Sequence, residues 1–169
     1  MRAALVLVRD QSAVVSQLAS DGFVFDSSGP LNVTVCELIS PAAGTFSDTP
    51  DWARLVADSV AAPFQQVRQV LPQLRRGTDA RVIFVIDGWR AAAQPGSTAA
   101  VAANGALIAL VKTLARDLGD DGITVNAIAR DATDNSSGLP RAISYLASPL
   151  AGALTGQILT LGSGGEIRP

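Results

Sequence analysis

The stretch STAAVAANGALIALVKTLARDLGDDGITVNAIAR, residues 97–130, decides the fold class of this chain. Its first part is rich in alanine and leucine, which favour helix, and its apolar residues recur at helical spacing. The turn-forming residues GDDG follow, and ITVNAIA then has the character of a strand. We therefore predict a helix over residues 98–118 and a strand directly after it.

The same alternation of strand and helix runs along the rest of the chain. A kinked helix is predicted over residues 50–75, with Pro63 at the kink. Shorter helices are predicted at residues 12–20 and at LPRAISYLAS. The other predicted strands are AALVLV, GFVFD, LNVTVCELI, RVIFVID and GQILTLG. This order favours one α/β domain over residues 1–169, with a doubly wound parallel sheet of about six strands between two helical layers.

Composition excludes several classes of function. The net charge is −2, and the basic residues form no stripe, which argues against nucleic-acid binding. Cys36 is the only cysteine, so neither an internal disulfide nor a zinc framework is possible. The chain has no histidine, which excludes imidazole acid–base catalysis and the usual metal sites. We therefore expect no metal.

No membrane segment is predicted. The apolar run at residues 3–8 is far too short to cross a bilayer, and Arg9 and Asp10 end it. We therefore expect a cytoplasmic protein.

Four segments together resemble a large enzyme family, the short-chain dehydrogenase/reductases, and most closely its β-ketoacyl-carrier-protein reductase branch. They are DWARLVADSVAAPFQQVRQVLPQL, RVIFVID, LIALVKTLARDLGDDGITVNAIA and YLASPLAGALTGQILTLGSGG. The resemblance covers residues 50–165 well and the first 40 poorly. It implies a three-layer, Rossmann-like fold.

The resemblance also implies an NAD(P) site, and this chain departs from the family there. The family holds the pyrophosphate in a glycine-rich turn after the first strand. The corresponding turn here, VRDQSAVV, has no glycine, and Asp10 would place a negative charge beside a phosphate. The family's asparagine-asparagine-alanine-glycine signature falls on residues 36–39, CELI. We therefore expect no cofactor.

The family's catalytic positions are also substituted. Its helix asparagine falls on Ser59 and its serine on Asp87. Its tyrosine falls on Ala100 and its lysine on Asn104, so no general acid is present at either position. Asp87 could be a new catalytic acid, but a solvated carboxylate is the favoured interpretation because no partner group is evident. We predict no catalytic residue.

Two family segments are shortened. Only SSGP separates the second and third predicted strands, and only RDATDNSSG follows the strand ITVNAIA, where the family has a lid over the substrate. The missing parts are those that hold cofactor and substrate in the family.

The two long helices remain, and in this family they pair with the same helices of a neighbouring subunit. We predict an interface through residues 50–75 and 98–118, alongside packing of the same helices on the sheet. The residues expected at the interface are Phe64, Val67, Leu71, Ala99, Ala102, Ala103, Ala106 and Leu110.

Two functional hypotheses follow. The first is a catalytically inactive subunit that supports an active NAD(P)H-dependent reductase in a hetero-oligomer, or that forms a homodimer. The alternative is a residual NAD(P)-dependent oxidoreductase, or a protein that binds a small ligand in the opened cleft.

Overall fold

The chain folds around one parallel sheet of six strands in the order β2-β1-β3-β4-β5-β6. The computed structural model describes residues 2–7, 11–26, 28–41, 44–45, 47, 51–87, 95–130 and 138–162. The strands are β1 (Arg2–Leu7), β2 (Phe23–Val24), β3 (Val33–Leu38), β4 (Arg81–Asp87), β5 (Thr124–Arg130) and β6 (Ile158–Leu161). The helices are α1 (Gln11–Ser20), α2 (Trp52–Leu74), α3 (Thr98–Asp117) and α4 (Gly138–Ala147), and a short 3₁₀ turn covers Pro149–Ala151.

The direction of winding reverses at β1. The chain passes from β1 outward to β2, returns to the other side of β1 as β3, and continues in the same direction through β4, β5 and β6. A crevice opens at such a reversal, beyond the carboxyl ends of the strands, and open α/β sheets bind ligands there. The predicted doubly wound parallel sheet is confirmed.

Alternation along each strand divides the core into two layers. On β4, Val82 and Phe84 face α2 and α3, whereas Ile83 and Val85 face α1 and α4. Both sets are buried, because parallel strands covered by helices on both sides carry almost continuous apolar runs. The two helical layers fix the positions of α3 and of the strand ends that surround the crevice.

Strand β2 is much shorter than the predicted strand GFVFD. Only Phe23 and Val24 pair with β1. The Asp26 carboxylate then accepts hydrogen bonds from the Ser28 hydroxyl at 2.7 Å and the Ser28 backbone N–H at 2.8 Å. These bonds lower the pKa of Asp26, the hydroxyl bond contributing most. A side-chain turn of this kind directs the backbone out of a strand, so the pairing ends early.

Candidate functional site

The crevice is bordered by the carboxyl ends of β3, β4 and β5. In register, Asp87 of β4 lies opposite Arg130 of β5, and Glu37 of β3 lies opposite Val85. The Asp87 side chain is outside the described part of the structure, as are Asp10 and residues 131–137. The described chemistry at this edge therefore comes from Glu37 and Arg130.

Glu37 and Arg130 form an ion pair across the sheet. Glu37 Oε1 lies 3.5 Å from Arg130 Nη2, and the two side chains are 3% and 25% exposed. Both residues lie on the face of the sheet that carries α1 and α4. Side chains two positions apart on a strand share a face, and Glu37 and Arg130 are each two positions from a buried residue of that layer, Val35 and Ile128. The pair therefore passes over β4 between its two neighbours. Sequence reasoning missed it, although two opposite charges at the ends of apolar strands were a usable signal.

Ala100 and Asn104 lie one helical turn apart on the side of α3 that faces the sheet. They are 8% and 2% exposed. The structure thus brings together the two positions that the resemblance assigns to the family's tyrosine and lysine. Neither side chain is ionisable, so neither can exchange a proton with a substrate at neutral pH.

The Asn104 amide differs from the other buried asparagines of the described chain. Its oxygen and nitrogen have no hydrogen-bond partner among the described residues. Asn32, in contrast, accepts from the Ala3 N–H at 2.8 Å and donates to the Thr78 carbonyl. A buried amide left unsatisfied costs about 1–3 kcal/mol, so the Asn104 side chain adds no hydrogen bond that anchors α3 to the described part of the chain.

Ser59 is engaged within its own helix. Its hydroxyl donates to the Leu55 carbonyl at 2.8 Å, a common local bond for serine inside a helix. Within the described ranges, no three His, Cys, Asp or Glu side chains are close enough to hold a metal ion.

Cys36 is buried in β3 beside the crevice. Loss of hydration raises the pKa of its thiol to about 11, and the contact with the Thr34 hydroxyl, 3.8 Å from Sγ, offsets this only in part. The thiolate is the nucleophilic form of cysteine. Cys36 is therefore a buried strand residue whose thiol stays protonated at neutral pH.

We expect the free energy of unfolding to fall as the pH rises from about 9 towards 11. The unfolded thiol releases its proton near the ordinary pKa of 9.0, whereas the buried Cys36 thiol keeps it until about 11. Between these two pH values unfolding releases a proton, so the free energy of unfolding falls by about 2–3 kcal/mol. Urea unfolding at several pH values checks this. The Cys36→Ala variant should lack this component, and identical pH profiles for the two proteins would contradict it.

One cavity lies in the first strand–helix unit, where the family's pyrophosphate turn belongs. Its volume is about 270 Å³. It is lined by Ala4, Leu5, Val6, Gln11, Val15 and Phe25. None of these side chains carries a positive charge, so the cavity suits an apolar group better than a pyrophosphate.

The outer surface of α2 and α3 contains five of the eight predicted interface residues. Phe64 and Ala106 are exposed, and Leu71, Ala102 and Leu110 are partly so. Val67, Ala99 and Ala103 are only 3%, 4% and 0% exposed and belong to the chain's own core. Their assignment to the interface stays a prediction, because the apolar periodicity of a helix does not show which face meets the sheet.

Helix α3 is unusually apolar for a surface helix. Among the described residues it is the one helix long and apolar enough to cross a membrane, yet only 39% of its most apolar 18-residue window is buried. One side packs on the sheet as a core helix does, and the other side is left without a cover in the single chain. Gly105 lies on this outer side, and a side chain there would meet no atom within 4 Å.

Comparison with known proteins identifies the family. The family model described as "Enoyl-(Acyl carrier protein) reductase" matches residues 31–140. Nodulation protein G of Azospirillum brasilense is 30% identical over 142 residues, which cover 69% of this chain and 58% of that protein. A 3-oxoacyl-[acyl-carrier-protein] reductase of Staphylococcus epidermidis is 33% identical over 79 residues, 47% of this chain and 32% of that protein. The matches thus span less than two thirds of these relatives.

Solved structures show the same fold. A short-chain dehydrogenase/reductase of Serratia marcescens superposes with a TM-score of 0.80 at 23% identity, over 96% of both chains. A 3-oxoacyl-reductase structure from Bacillus thuringiensis gives 0.79 at 16% identity, over 99% of both chains. The sequence matches and the shared parallel sheet agree, and this chain belongs to the short-chain dehydrogenase/reductase family.

Proposed function

We propose that this chain is a catalytically inactive, cytoplasmic subunit that supports an active NAD(P)H-dependent reductase of the same family in a hetero-oligomer. The observation that carries the proposal is the pair Ala100 and Asn104, buried at the two positions assigned to the family's proton donor and its lysine. Alanine has no proton to donate, and an asparagine amide has no charge with which to lower a neighbouring pKa. Loss of a general acid alone typically costs about 10²–10⁴ in rate.

The charges at the crevice support the same function. The buried Glu37 carboxylate, paired with Arg130 at 3.5 Å, stands on the strand beside the winding reversal. A dinucleotide would bring its phosphates to this edge of the sheet. The Glu37–Arg130 pair has no net charge, so it gives the phosphates no net electrostatic attraction.

The outer face of α2 and α3 supports association with a partner. Trp52 and Phe64 on α2 are 42% and 36% exposed, which is unusual for large aromatic residues in an isolated chain. Alanines and Gly105 on α3 leave room for a partner helix to approach closely. An apolar, aromatic patch of this kind is typical of an interface between subunits. The active partner would perform carbonyl reduction, and this chain would stabilise it or shape its pocket.

The cavity beside Phe25 favours a second candidate function. A chamber of about 270 Å³ with apolar walls could hold a small ligand, and an adenine ring would be one such ligand. In that case the chain would be a ligand-binding protein or a residual oxidoreductase that holds NAD(P) by a different route.

Two measurements distinguish these functions. When NADPH is titrated with the purified chain to concentrations well above the micromolar range, its fluorescence is expected to stay unchanged. A micromolar dissociation constant would favour the second candidate. Native mass spectrometry after co-expression with the intact reductase encoded nearest in the same genome should show a mixed dimer or tetramer. A chain that remains monomeric, or forms only homodimers, in the presence of that reductase would overturn the hetero-oligomer.

A further inference from the structure

A second cavity lies between the last two turns of α3 and the connection from β5 to β6. Its volume is about 290 Å³, and it is lined by Lys112, Ala115, Arg116, Thr155 and Gly156. It lies at the amino ends of β5 and β6, which is the opposite edge of the sheet from the crevice. Lys112 and Arg116 are four residues apart on α3, so their two positive charges are on the same side of the helix.

The wall of this cavity opposite α3 is fixed by hydrogen bonds to β5. The Gly156 N–H donates to the Val125 carbonyl at 2.7 Å, and the Thr155 hydroxyl accepts from the Val125 N–H at 3.2 Å. The Gln157 N–H donates to the Asn126 side-chain oxygen at 3.0 Å. The wall is therefore in place before any ligand arrives, and a ligand would not have to order it on binding.

The lining side chains keep unused hydrogen-bond donors. The Thr155 hydroxyl accepts from β5, so its own hydrogen remains available. Lys112 donates to the Gly156 carbonyl at 3.4 Å, which is a long bond and uses one of its three N–H groups. In the described ranges, no hydrogen bond or ion pair engages the Arg116 guanidinium. The cavity thus offers several donors that point to a ligand rich in acceptor oxygens.

Charge narrows the class of ligand. Neither Lys112 nor Arg116 forms an ion pair with a carboxylate of the described residues, although the chain as a whole has a net charge of −2. A phosphate monoester carries about −1.5 to −2 charges at pH 7 and three acceptor oxygens. An arginine guanidinium can bond two of these oxygens at once. A carboxylate has one charge and two oxygens, so phosphate matches this cavity better.

We propose that this cavity binds a phosphate group, either as the free ion or as the monoester of a small molecule. Lys112 and Arg116 balance its charge, and the Thr155 hydroxyl donates to one of its oxygens. The volume is that of about ten water molecules, at about 30 Å³ each, which leaves room for a short organic group beside the phosphate. All lining residues belong to one chain, so the site does not rest on the proposed subunit role.

Isothermal titration calorimetry of the purified chain with glycerol 3-phosphate and with inorganic phosphate tests this site. Lys112→Gln and Arg116→Gln should each weaken binding at least about tenfold, because each removes a hydrogen bond to a charged group. Both positions are exposed on α3, so the variants should stay folded. The matched control is Arg68→Gln, which removes an exposed arginine of α2 outside the cavity and should change the affinity less than twofold. Tighter binding of the ester than of inorganic phosphate would identify a small-molecule monoester as the source.

The pH dependence of binding is an independent readout. A phosphate monoester loses its second charge near pH 6, and the chain has no histidine, the side chain that ordinarily titrates in this range. The affinity for glycerol 3-phosphate should therefore fall about three- to fourfold from pH 7.5 to pH 5.5, because less of the dianion is present to face Lys112 and Arg116. Absence of binding of both probes at millimolar concentration would overturn the proposal, as would equal affinities of Arg116→Gln and Arg68→Gln or an affinity that does not change with pH.

Discussion

The Gly77→Ala variant is expected to lose about 2–3 kcal/mol of its free energy of unfolding, the upper part of the range of about 1–3 kcal/mol found when a tightly packed site is overfilled. Gly77 follows α2, and its N–H donates to the carbonyls of Gln73 at 3.1 Å and Leu74 at 3.0 Å. A Cβ at this position would lie 1.9 Å from the Leu31 carbonyl oxygen, a backbone atom that cannot rotate away. Either the end of α2 or the start of β3 must shift.

Thermal unfolding measures this loss. For a chain of this size, 1 kcal/mol corresponds to about 2–4 °C, so Tm should fall by about 4–12 °C. Gly105→Ala is the matched control, because a Cβ at Gly105 meets nothing within 4 Å. That exchange should stabilise the exposed helix α3 by about 0.5–1 kcal/mol. Similar Tm values for both variants would show that α2 does not approach β3 as closely as described.

The Gly105→Arg variant is expected to lose the mixed oligomer while the chain itself stays folded. The new side chain has open space in the single chain, where no atom lies within 4 Å of the added Cβ. Against a partner helix packed on this side of α3, the same side chain would fill the space beside Gly105 and bury a charge in an apolar contact. We expect at least about a thirtyfold weaker association, which corresponds to the 2 kcal/mol or more typical of interface hot spots.

Co-expression followed by native mass spectrometry or sedimentation measures this effect. The matched control is Ala19→Arg, which adds the same charge to an exposed position of α1 on the opposite face of the sheet. It should leave the oligomer intact. If Gly105→Arg assembles as well as the control, the partner does not bind through α3, and the association proposed for α2 and α3 would have to be abandoned.

The helical and strand segments of the centre of the chain were predictable because their physical signals are local. The predicted helix over residues 98–118 is observed as Thr98–Asp117, and the strand that follows it as Thr124–Arg130. Strand β2 was predicted too long because the Asp26–Ser28 turn competes with strand pairing. In this turn the Asp26 carboxylate accepts a hydrogen bond from the backbone N–H of Ser28, two residues further on. The local sequence thus predicted the presence and type of each helix and strand better than the residue at which it ends.

The candidate site was predictable only in part. Ala100 and Asn104 were expected at the family's catalytic positions, and helical spacing places them on one face of α3. That the Asn104 amide is buried without a partner in the described chain could not be predicted, because satisfaction of a buried group depends on atoms from other elements. The Glu37–Arg130 pair was missed for the same reason, since its two members come from strands that are separated by β4.

The sequence by itself determined the order of helices and strands, the absence of histidine and the residues at the assigned catalytic positions, because periodicity and residue identity are properties of the chain. Only the tertiary structure decided which sides of α2 and α3 face the sheet and which residues, such as Val67 and Ala103, are buried in the chain's own core. It also decided that Glu37 meets Arg130. Both outcomes depend on how the sheet is wound, which brings distant strands together and assigns each helix its buried side.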